Sequence, residues 1–182
     1  MTHAIRRVRE HEWREVRDLR LEALRDPAAP IAFLDTADAA LLRPDGFWQE
    51  RAAGAASTDT AAQFVAIDEG AWVGSVSVLR RRPGDRDAHG RILDEPRSDV
   101  VGVYVRPDHR GRGIIDDLLA AAAGWAGSHG DASLALEVHA DNERAQAAYR
   151  RAGFRPTGLR FEGPIGPELE MARSLGGDRL SA

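Results

Sequence analysis

A pair of glycines separates an apolar stretch of the chain from a helical one. Residues 103–105 read VYV, Gly111 and Gly113 stand one residue apart shortly afterwards, and a helical pattern begins at Ile114. From there to about Ser128, apolar residues recur every three or four positions, as on an amphipathic helix. A strand that leads into a helix through a glycine turn suits a mixed α/β domain. Its converging backbone N–H groups, at the positive end of a helix dipole, also predict an anion site.

The rest of the chain alternates between helical and strand periodicity. Helical spacing extends over Glu10 to Asp26, over about Asp38 to Ala53 with an interruption near Pro44, and over Asn142 to Ala152. The strand candidates are residues 5–9, 63–67, 71–79, 99–107, 133–140, 154–158 and 167–175. Residues 68–70 predict a hairpin turn, and the polar segment 80–99 predicts a long surface loop. We expect a single mixed α/β domain over residues 1–182, in the order β-α-α-β-β-β-α-β-α-β-β.

Composition excludes several classes of protein. The chain has no cysteine, which rules out disulfides and a cysteine nucleophile. Its formal net charge of -4 gives no overall attraction to nucleic acid, and its 6 histidines lack a metal-ligand spacing such as HExxH. No run approaches the roughly 18 to 20 apolar residues that span a bilayer, and the N-terminus lacks the apolar core of a signal peptide. We expect a cytoplasmic protein without metal, nucleic-acid or membrane partners.

The glycine pair does not fit two common nucleotide-binding motifs. No GxxxxGK[ST] sequence occurs, which disfavours a P-loop nucleotide hydrolase. The dinucleotide fingerprint GxGxxG is missed because position 116 is Asp, and the pair lies behind three strand candidates instead of in a first βαβ unit. A simpler alternative is that HRGRG is only an arginine-flanked turn before a helix.

Two separate signatures resemble those of the GNAT N-acetyltransferases. The segment from Arg110 to Ile115 resembles the family's acyl-CoA pyrophosphate loop, Q/R-x-x-G-x-G/A, with Ile115 in place of the final small residue. The segment NERAQAAYRRAGF resembles the second signature, with Asn142 and Tyr149 at the family's positions. The resemblance is best over about residues 60–175. It implies a GNAT-like fold with a central mixed, mostly antiparallel sheet of about six to seven strands, flanked by about four helices.

The resemblance also implies which parts of the chain bind each substrate. Residues 1–60 are expected to form a helical acceptor-side region, and residues 61–175 the acyl-CoA-binding core. The expected acetyl-CoA contacts are Val103, Val105, Arg110, Gly111, Arg112, Gly113, Ile114, Ile115, Asn142 and Tyr149. The backbone N–H near Val105 would bond to the thioester carbonyl where the central strands splay apart. Asn142 either caps its helix or also approaches the pantetheine arm.

Asp116 and Asp117 follow the departure at Ile115. Two aspartates suit the N-terminus of a helix electrostatically. They would repel a pyrophosphate that they faced, so their direction decides whether the loop can hold one.

Two residues are expected to carry the chemistry. Tyr149 is the expected proton donor to the departing thiolate, because a tyrosine with an ordinary pKa of about 10 is protonated at neutral pH. Glu137 is the expected base, since the resemblance implies that a glutamate at this strand position deprotonates the amine through water. The structural alternatives are a core aromatic for Tyr149 and a salt-bridged glutamate for Glu137. His139 and Asp99 are the next candidates for the base.

Three further features have simpler expected roles. His89, in the polar loop, is expected to be solvated. Trp48 is the tryptophan considered for the wall of the acceptor pocket. Residues 80–82, three consecutive arginines, are expected to be an exposed strand end.

The function expected from these residues is acetyl-CoA-dependent N-acetyl transfer to a primary amine of a small molecule or a protein N-terminus. Attack would be direct, because no cysteine can carry the acetyl group. The alternative is a catalytically weak or inactive CoA-binding sensor or partner module. The expected acceptor is a small-molecule or peptide amine, and the net negative charge slightly favours a cationic one. The resemblance is also compatible with a homodimer.

Overall fold

The computed structural model describes residues 3–87 and 89–176. Its strands are β1 Ala4–Arg7, β2 Ala61–Asp68, β3 Ala71–Arg81, β4 Arg97–Val105, β5 Ser133–His139, β6 Arg155–Gly163 and β7 Gly166–Ser174. Its α-helices are α1 Trp13–Ala23, α2 Ala37–Leu41, α3 Asp45–Ser57, α4 Ile114–Ser128 and α5 Glu143–Arg151. Single 3-10 turns lie at Glu10–Glu12, Ala29–Ile31 and Pro107–His109.

The strands form one seven-stranded sheet in the order β1-β2-β3-β4-β5-β7-β6. Neighbouring strands are antiparallel except for β4 and β5, which are parallel. The predicted mixed, mostly antiparallel sheet is therefore confirmed. The described residues form five α-helices instead of the expected four or so, because the second helical stretch is divided: α2 ends at Leu41, and Pro44 caps α3. Proline at this position cannot continue the preceding helix.

Apolar side chains pack on both faces of the sheet. On one face, α4 buries Leu118 and Leu119 against the sheet, and Phe154 joins the same cluster. On the other face, α1 and α3 bury Val16 and Trp48 in a second cluster. Strand β2 shows the alternation that permits this, since Phe64 belongs to the first cluster and Val65 to the second. The sheet is thus the middle layer between two groups of helices.

Of the two connections that flank β3, the turn before it is as predicted and the loop after it is shorter than predicted. Glu69 and Gly70 have φ values of 50° and 82° and form the predicted tight turn between β2 and β3. The loop expected over residues 80–99 is shorter, at 82–96, because β3 continues to Arg81 and β4 begins at Arg97. It is also not purely polar surface, since Asp87 within it is buried and pairs with Arg91.

The two parallel strands at the centre of the sheet separate along their length. Pairing between them is confined to residues 97–99 of β4 and 133–135 of β5. The register of β4 against β3 also shifts near Gly102, which has a φ of 63°, as in a β-bulge. The carboxyl-terminal halves of β4 and β5 therefore leave an opening at the middle of the sheet. In the described part of the chain, no helix is both long and apolar enough to cross a membrane.

Candidate active site

A cleft of about 1090 Å3 passes through the opening between β4 and β5. Its walls include the predicted site residues Val103, Val105, Arg110, Gly111, Gly113, Ile114, Ile115, Glu137, Asn142 and Tyr149. Arg112 lies outside these walls, with Nη1 at 3.8 Å from Oδ2 of Asp68. The structure thus brings together residues from the glycine turn, β4, β5 and α5 that are far apart in sequence.

The glycine turn is open towards the cleft. Gly111 and Gly113 have φ values of 76° and 81°, and a Cβ atom at either would meet no atom within 4 Å. Gly113 is the N-cap of α4, so the first backbone N–H groups of the helix lack partners within it. Free N–H groups at a helix N-terminus in open space fit a phosphate group. The turn therefore fits the pyrophosphate of an acyl-CoA.

Arg110 is committed to contacts within the chain. Its Nε donates to the backbone carbonyl of Val105 at 2.9 Å, and its Nη2 pairs with Asp26. Burial alone would raise the pKa of Asp26, but a hydrogen bond from the backbone N–H of Ala28 and the pairing with Arg110 lower it below its usual range. Arg110 thus fastens the end of β4 to the segment after α1, in addition to lining the cleft.

The glycine turn is followed by Ile115, Asp116 and Asp117, whose side chains have different surroundings. Ile115 is partly buried and packs against the α4 side of the core, while still lining the cleft. Asp117 points away, with Oδ2 at 2.7 Å from Nε2 of His3. Asp116 also lines the cleft, and its Oδ1 lies 4.0 Å from Nε of Arg151. One aspartate, not two, therefore contributes negative charge on the donor side.

Helix α5 places Tyr149 and Asn142 on the cleft. Asn142 is a true N-cap, since its Oδ1 accepts from the N–H of Ala145 at 3.2 Å. Gly153, with a φ of 92°, ends the helix, and the N–H of Phe154 donates to the carbonyl of Tyr149 at 3.0 Å, as in a Schellman motif. Tyr149 is 7% exposed, and burial raises its pKa to about 12. Its hydroxyl group therefore holds its proton across the physiological pH range.

Glu137 lies on the opposite wall with two histidines near it. Its Oε1 is 2.8 Å from Nε2 of His89. His89 packs against Phe161 with ring centroids 4.0 Å apart, so the expectation that it is solvated is wrong. His139, the next candidate for the base, is only 5% exposed, and its Nδ1 accepts from the N–H of Asp141 at 3.1 Å.

Glu168 is a carboxylate on the cleft that was not among the residues predicted from the sequence. It lies on β7 opposite His139, is buried, and lines the cleft. Burial raises its pKa, the charge of Glu137 raises it further, and His139 and His89 counteract this. Its neighbour two residues on, Glu170, is instead paired with Arg91 and Arg97. The alternating pattern of residues 167–171, PELEM, was the available signal, because it sets both glutamates on one face.

The remaining predicted candidates are structural. Asp99 pairs with Arg97 and Arg81 at 2.9 and 3.1 Å. Trp48 is 1% exposed in the core between α1 and α3, so its expected place in the acceptor wall is wrong. Arg80 is not an exposed strand end, since it pairs with the buried Asp131 at 2.8 Å. The acceptor side is instead walled by residues 28–35 and by the β6–β7 turn. The described residues include no group of three or more His, Asp or Glu side chains that could hold a metal ion.

A sheet whose central strands separate above an open glycine turn defines an acyl-CoA N-acyltransferase type of fold. The family model of the acetyltransferase (GNAT) family matches residues 5–154. The chain belongs to the GNAT acetyltransferase family, whose members in general carry out acetyl-CoA-dependent acetyl transfer. The family and the fold class predicted from the sequence are thereby confirmed.

Known proteins similar to this chain agree with that placement. A mycothiol acetyltransferase from Clavibacter sepedonicus is 37% identical over 92 residues, which cover 47% of this chain and 29% of that protein. The chain thus matches less than a third of that curated relative's length. A GNAT-family acetyltransferase structure from Streptococcus pneumoniae has a TM-score of 0.76 at 18% identity and covers 96% of this chain and 100% of its own. A phosphinothricin acetyltransferase from Sinorhizobium meliloti, solved with acetyl-CoA, has a TM-score of 0.72 at 20% identity, covering 100% and 93%.

Proposed function

We propose that the chain is an acetyl-CoA-dependent N-acetyltransferase that moves an acetyl group directly to a primary amine of a small molecule or a protein N-terminus. The observation that carries the proposal is the cleft between β4 and β5, because it joins an open glycine turn to a wall of carboxylates and histidines, with Tyr149 lining the same space. A donor at the glycine turn and an acceptor at the carboxylates would therefore meet inside the sheet.

The donor side is built to hold acetyl-CoA. The N–H groups around Gly111 and Gly113 would bind its pyrophosphate, and the free edge of β4 at Val103 and Val105 would bind its pantetheine arm. Ile114, Ile115 and Asn142 would complete this wall. When bound, acetyl-CoA supplies an acetyl thioester, which is activated towards amines. The positive charge of Arg112 would act on the pyrophosphate from outside the cleft.

Two side chains would move the protons. Glu137 would take one proton from the acceptor ammonium, directly or through water, so that the nitrogen lone pair can attack the thioester carbonyl carbon. As the carbon–sulfur bond breaks, the Tyr149 hydroxyl would donate its proton to the leaving sulfur. The amine releases a second proton on becoming an amide, and this proton would restore Tyr149. The chain has no cysteine, so the transfer needs no covalent acetyl-enzyme on a thiol.

The inactive CoA-binding module is the second candidate. The observation that favours it is the carboxylate of Asp116, which lines the donor side of the cleft. Its effect is reduced by Arg151 at 4.0 Å, and Asp117 faces His3 instead. A cytoplasmic location and a homodimer stay predictions.

Amine-dependent release of CoA thiol tests the proposal. Because the chain contains no cysteine, a thiol reagent reports released CoA without a signal from the protein. The proposal expects thiol release that depends on enzyme, acetyl-CoA and amine together, with one acetylated amine per thiol by mass spectrometry. Binding of acetyl-CoA without release for any amine in a panel of amino acids, polyamines and peptides would select the second candidate.

A further inference from the structure

The acceptor half of the cleft contains a guanidinium group without a carboxylate partner. Arg20, on α1, lines the cleft, and its Cζ lies 4.5 Å from the centre of the Phe33 ring. Its side chain is half-buried. Within the described ranges, no carboxylate oxygen lies within 4.0 Å of a guanidinium nitrogen of Arg20. Its helix neighbour Arg17, by contrast, pairs with Asp18 and Asp45.

The charges around Arg20 add to its positive potential instead of neutralising it. Arg51 and Arg43 are its charged neighbours together with a single carboxylate, that of Asp35, which is already paired with Arg43 at 2.9 Å. Burial, and then the charge of Arg51, lower the pKa of Arg20 to about 10, although Asp35 counteracts this. A desolvated cation without a partner is costly to a folded protein. Retaining one at a cleft wall is expected when a ligand supplies the missing anion.

The backbone leaves Arg20 accessible to such a ligand. Gly102 lies on the sheet side of Arg20, at the bulge of β4, and an added Cβ there would lie 3.9 Å from Nη1 of Arg20. Gly102 also lines the cleft. Because residue 102 is a glycine, no side chain from this position covers the guanidinium of Arg20.

The opposite wall carries the complementary charge. Glu137 faces the α1 side of the sheet, since its strand neighbours Leu136 and Val138 belong to the α4 cluster. Glu168 lies opposite His139 on the next strand and lines the same cleft. One face of the sheet thus presents a cation from α1 and carboxylates from β5 and β7 to a single space.

We propose that the acceptor is an amine that also carries a carboxylate or a comparable anionic group, as an amino acid does. Arg20 binds this anion, and the amine lies towards Glu137. A planar guanidinium can form two parallel hydrogen bonds with a carboxylate, which fixes its orientation as well as its charge. The inference rests on the proposed function, because it assigns the acceptor of the same cleft. It differs from the cationic acceptor that the net charge favours, because local charge at the site outweighs the charge of the whole molecule.

Matched acceptor pairs test this assignment. Thiol release is measured with L-methionine, L-phenylalanine and L-glutamate, and with the amide of each in which the α-carboxylate is replaced by a carboxamide. The wild-type kcat/KM is expected to be at least about tenfold higher for the acid of the preferred pair. Arg20→Gln should raise the KM of that acid about 10- to 100-fold, or about 1.4 to 2.7 kcal/mol, and leave its amide nearly unchanged. For Arg20→Lys, the KM of the acid should lie between the values of the wild type and Arg20→Gln. Lysine keeps the positive charge but cannot form the two parallel hydrogen bonds of a guanidinium.

Two controls separate binding from folding. Arg14→Gln removes an exposed arginine from the same helix and should leave both members of the pair unchanged. Arg20→Gln should keep acetyl-CoA binding and should not lower Tm, because it removes an unpaired desolvated cation.

Four results would overturn the assignment. The first is an equal kcat/KM of the wild-type chain for acid and amide. The second is an Arg20→Gln variant that lowers kcat/KM equally for both. Acetylation only of amines without an anionic group would also do so. If the wild-type chain failed to bind acetyl-CoA, the proposed function itself would fall, and this inference with it.

Discussion

Oε1 of Glu137 lies 2.8 Å from Nε2 of His89, although the two residues are 48 positions apart. The contact joins His89, which lies between β3 and β4, to the acceptor side of the cleft, where His89 also packs against Phe161. It fixes the direction of the Glu137 carboxylate, and Glu137 is the base in the proposed mechanism.

Replacing the Glu137 carboxylate by an amide should slow transfer strongly. A positioned general base contributes about 10²- to 10⁴-fold, so Glu137→Gln should lower kcat/KM by at least about 100-fold at neutral pH. The loss should shrink as pH rises, because more of the acceptor amine is then neutral without help. The pH profile of kcat/KM checks this, with Glu162→Gln as a control, since Glu162 is an exposed carboxylate on the same cleft. An unaltered profile would point to His139, Glu168 or water as the base.

His89 should act through Glu137. His89→Gln alone is expected to lower kcat/KM about tenfold, because the carboxylate loses the group that orients it. In a Glu137→Gln background the same change should have little further effect. A double-mutant cycle of kcat/KM measures this coupling. Fully additive losses would mean that the two residues act independently.

Tyr149 should remain protonated well above neutral pH. Burial raises its pKa to about 12, and burial also raises the pKa of Tyr104, the other tyrosine of the chain. At pH 10, the ordinary tyrosine pKa, the folded protein should therefore show little tyrosinate absorbance, whereas the denatured chain should be about half ionised. Folding stability should be insensitive to these groups below about pH 10 and decline above it, as only the unfolded state ionises freely. A tyrosinate signal in the folded protein at pH 10 would contradict the burial of these hydroxyls.

The glycine turn should tolerate no side chain. Gly113→Ala forces a residue with a Cβ to adopt a φ of 81° and should cost about 1 to 2 kcal/mol of stability. It should also raise the Kd of acetyl-CoA, because the Cβ occupies space that the phosphates need. Gly124→Ala is the matched control: this residue lies within α4, nothing lies within 4 Å of its added Cβ, and the change should stabilise the helix by about 0.5 to 1 kcal/mol. Chemical denaturation and calorimetric titration of both variants distinguish the two effects. An unchanged Kd in Gly113→Ala would place the pyrophosphate elsewhere.

Glu168 should weaken the fold at neutral pH. Burial and the nearby charge of Glu137 raise its pKa, so the folded state holds this proton at pH values where the unfolded chain has lost it. Its contribution to stability is therefore lost as pH rises through the raised pKa. Glu168→Gln should raise Tm at pH 7, and the difference from wild type should vanish near pH 4. Tm measured across this range tests the sign, and a variant that is less stable at pH 7 would show that the carboxylate has a favourable partner.

Local features of the fold were readable in the sequence, and long-range ones were not. The glycine turn, the Asn142 cap and the end of α5 at Gly153 depend on neighbouring residues, and each lies where its local pattern predicts. The pairs His89–Glu137 and Asp26–Arg110 join residues 48 and 84 positions apart. Periodicity carries no information about such contacts, because they depend on how loops return over the sheet.

The burial of Trp48 and the position of Glu168 on the cleft could not be predicted from the sequence, for the same reason. Both depend on which helix covers which strand. A tryptophan on a helix can face either the core or a pocket with the same spacing, and the packing of α3 against β2 decides it. Glu168 and Glu170 share one face of β7, yet arginines from β4 and the preceding loop pair only with Glu170.

A thermal-shift titration with acetyl-CoA measures whether the cleft between β4 and β5 binds the donor. NADH and GTP are controls for unspecific phosphate binding, and free CoA is a control for the acetyl group. At about one hundred times its Kd, a ligand that binds only the folded state adds about 2.7 kcal/mol. For a domain of this size that corresponds to a rise in Tm of about 5 to 10 °C. We expect such a rise with acetyl-CoA and none with NADH or GTP. No rise at millimolar acetyl-CoA would contradict it, because the cleft between β4 and β5 would then not be a donor site.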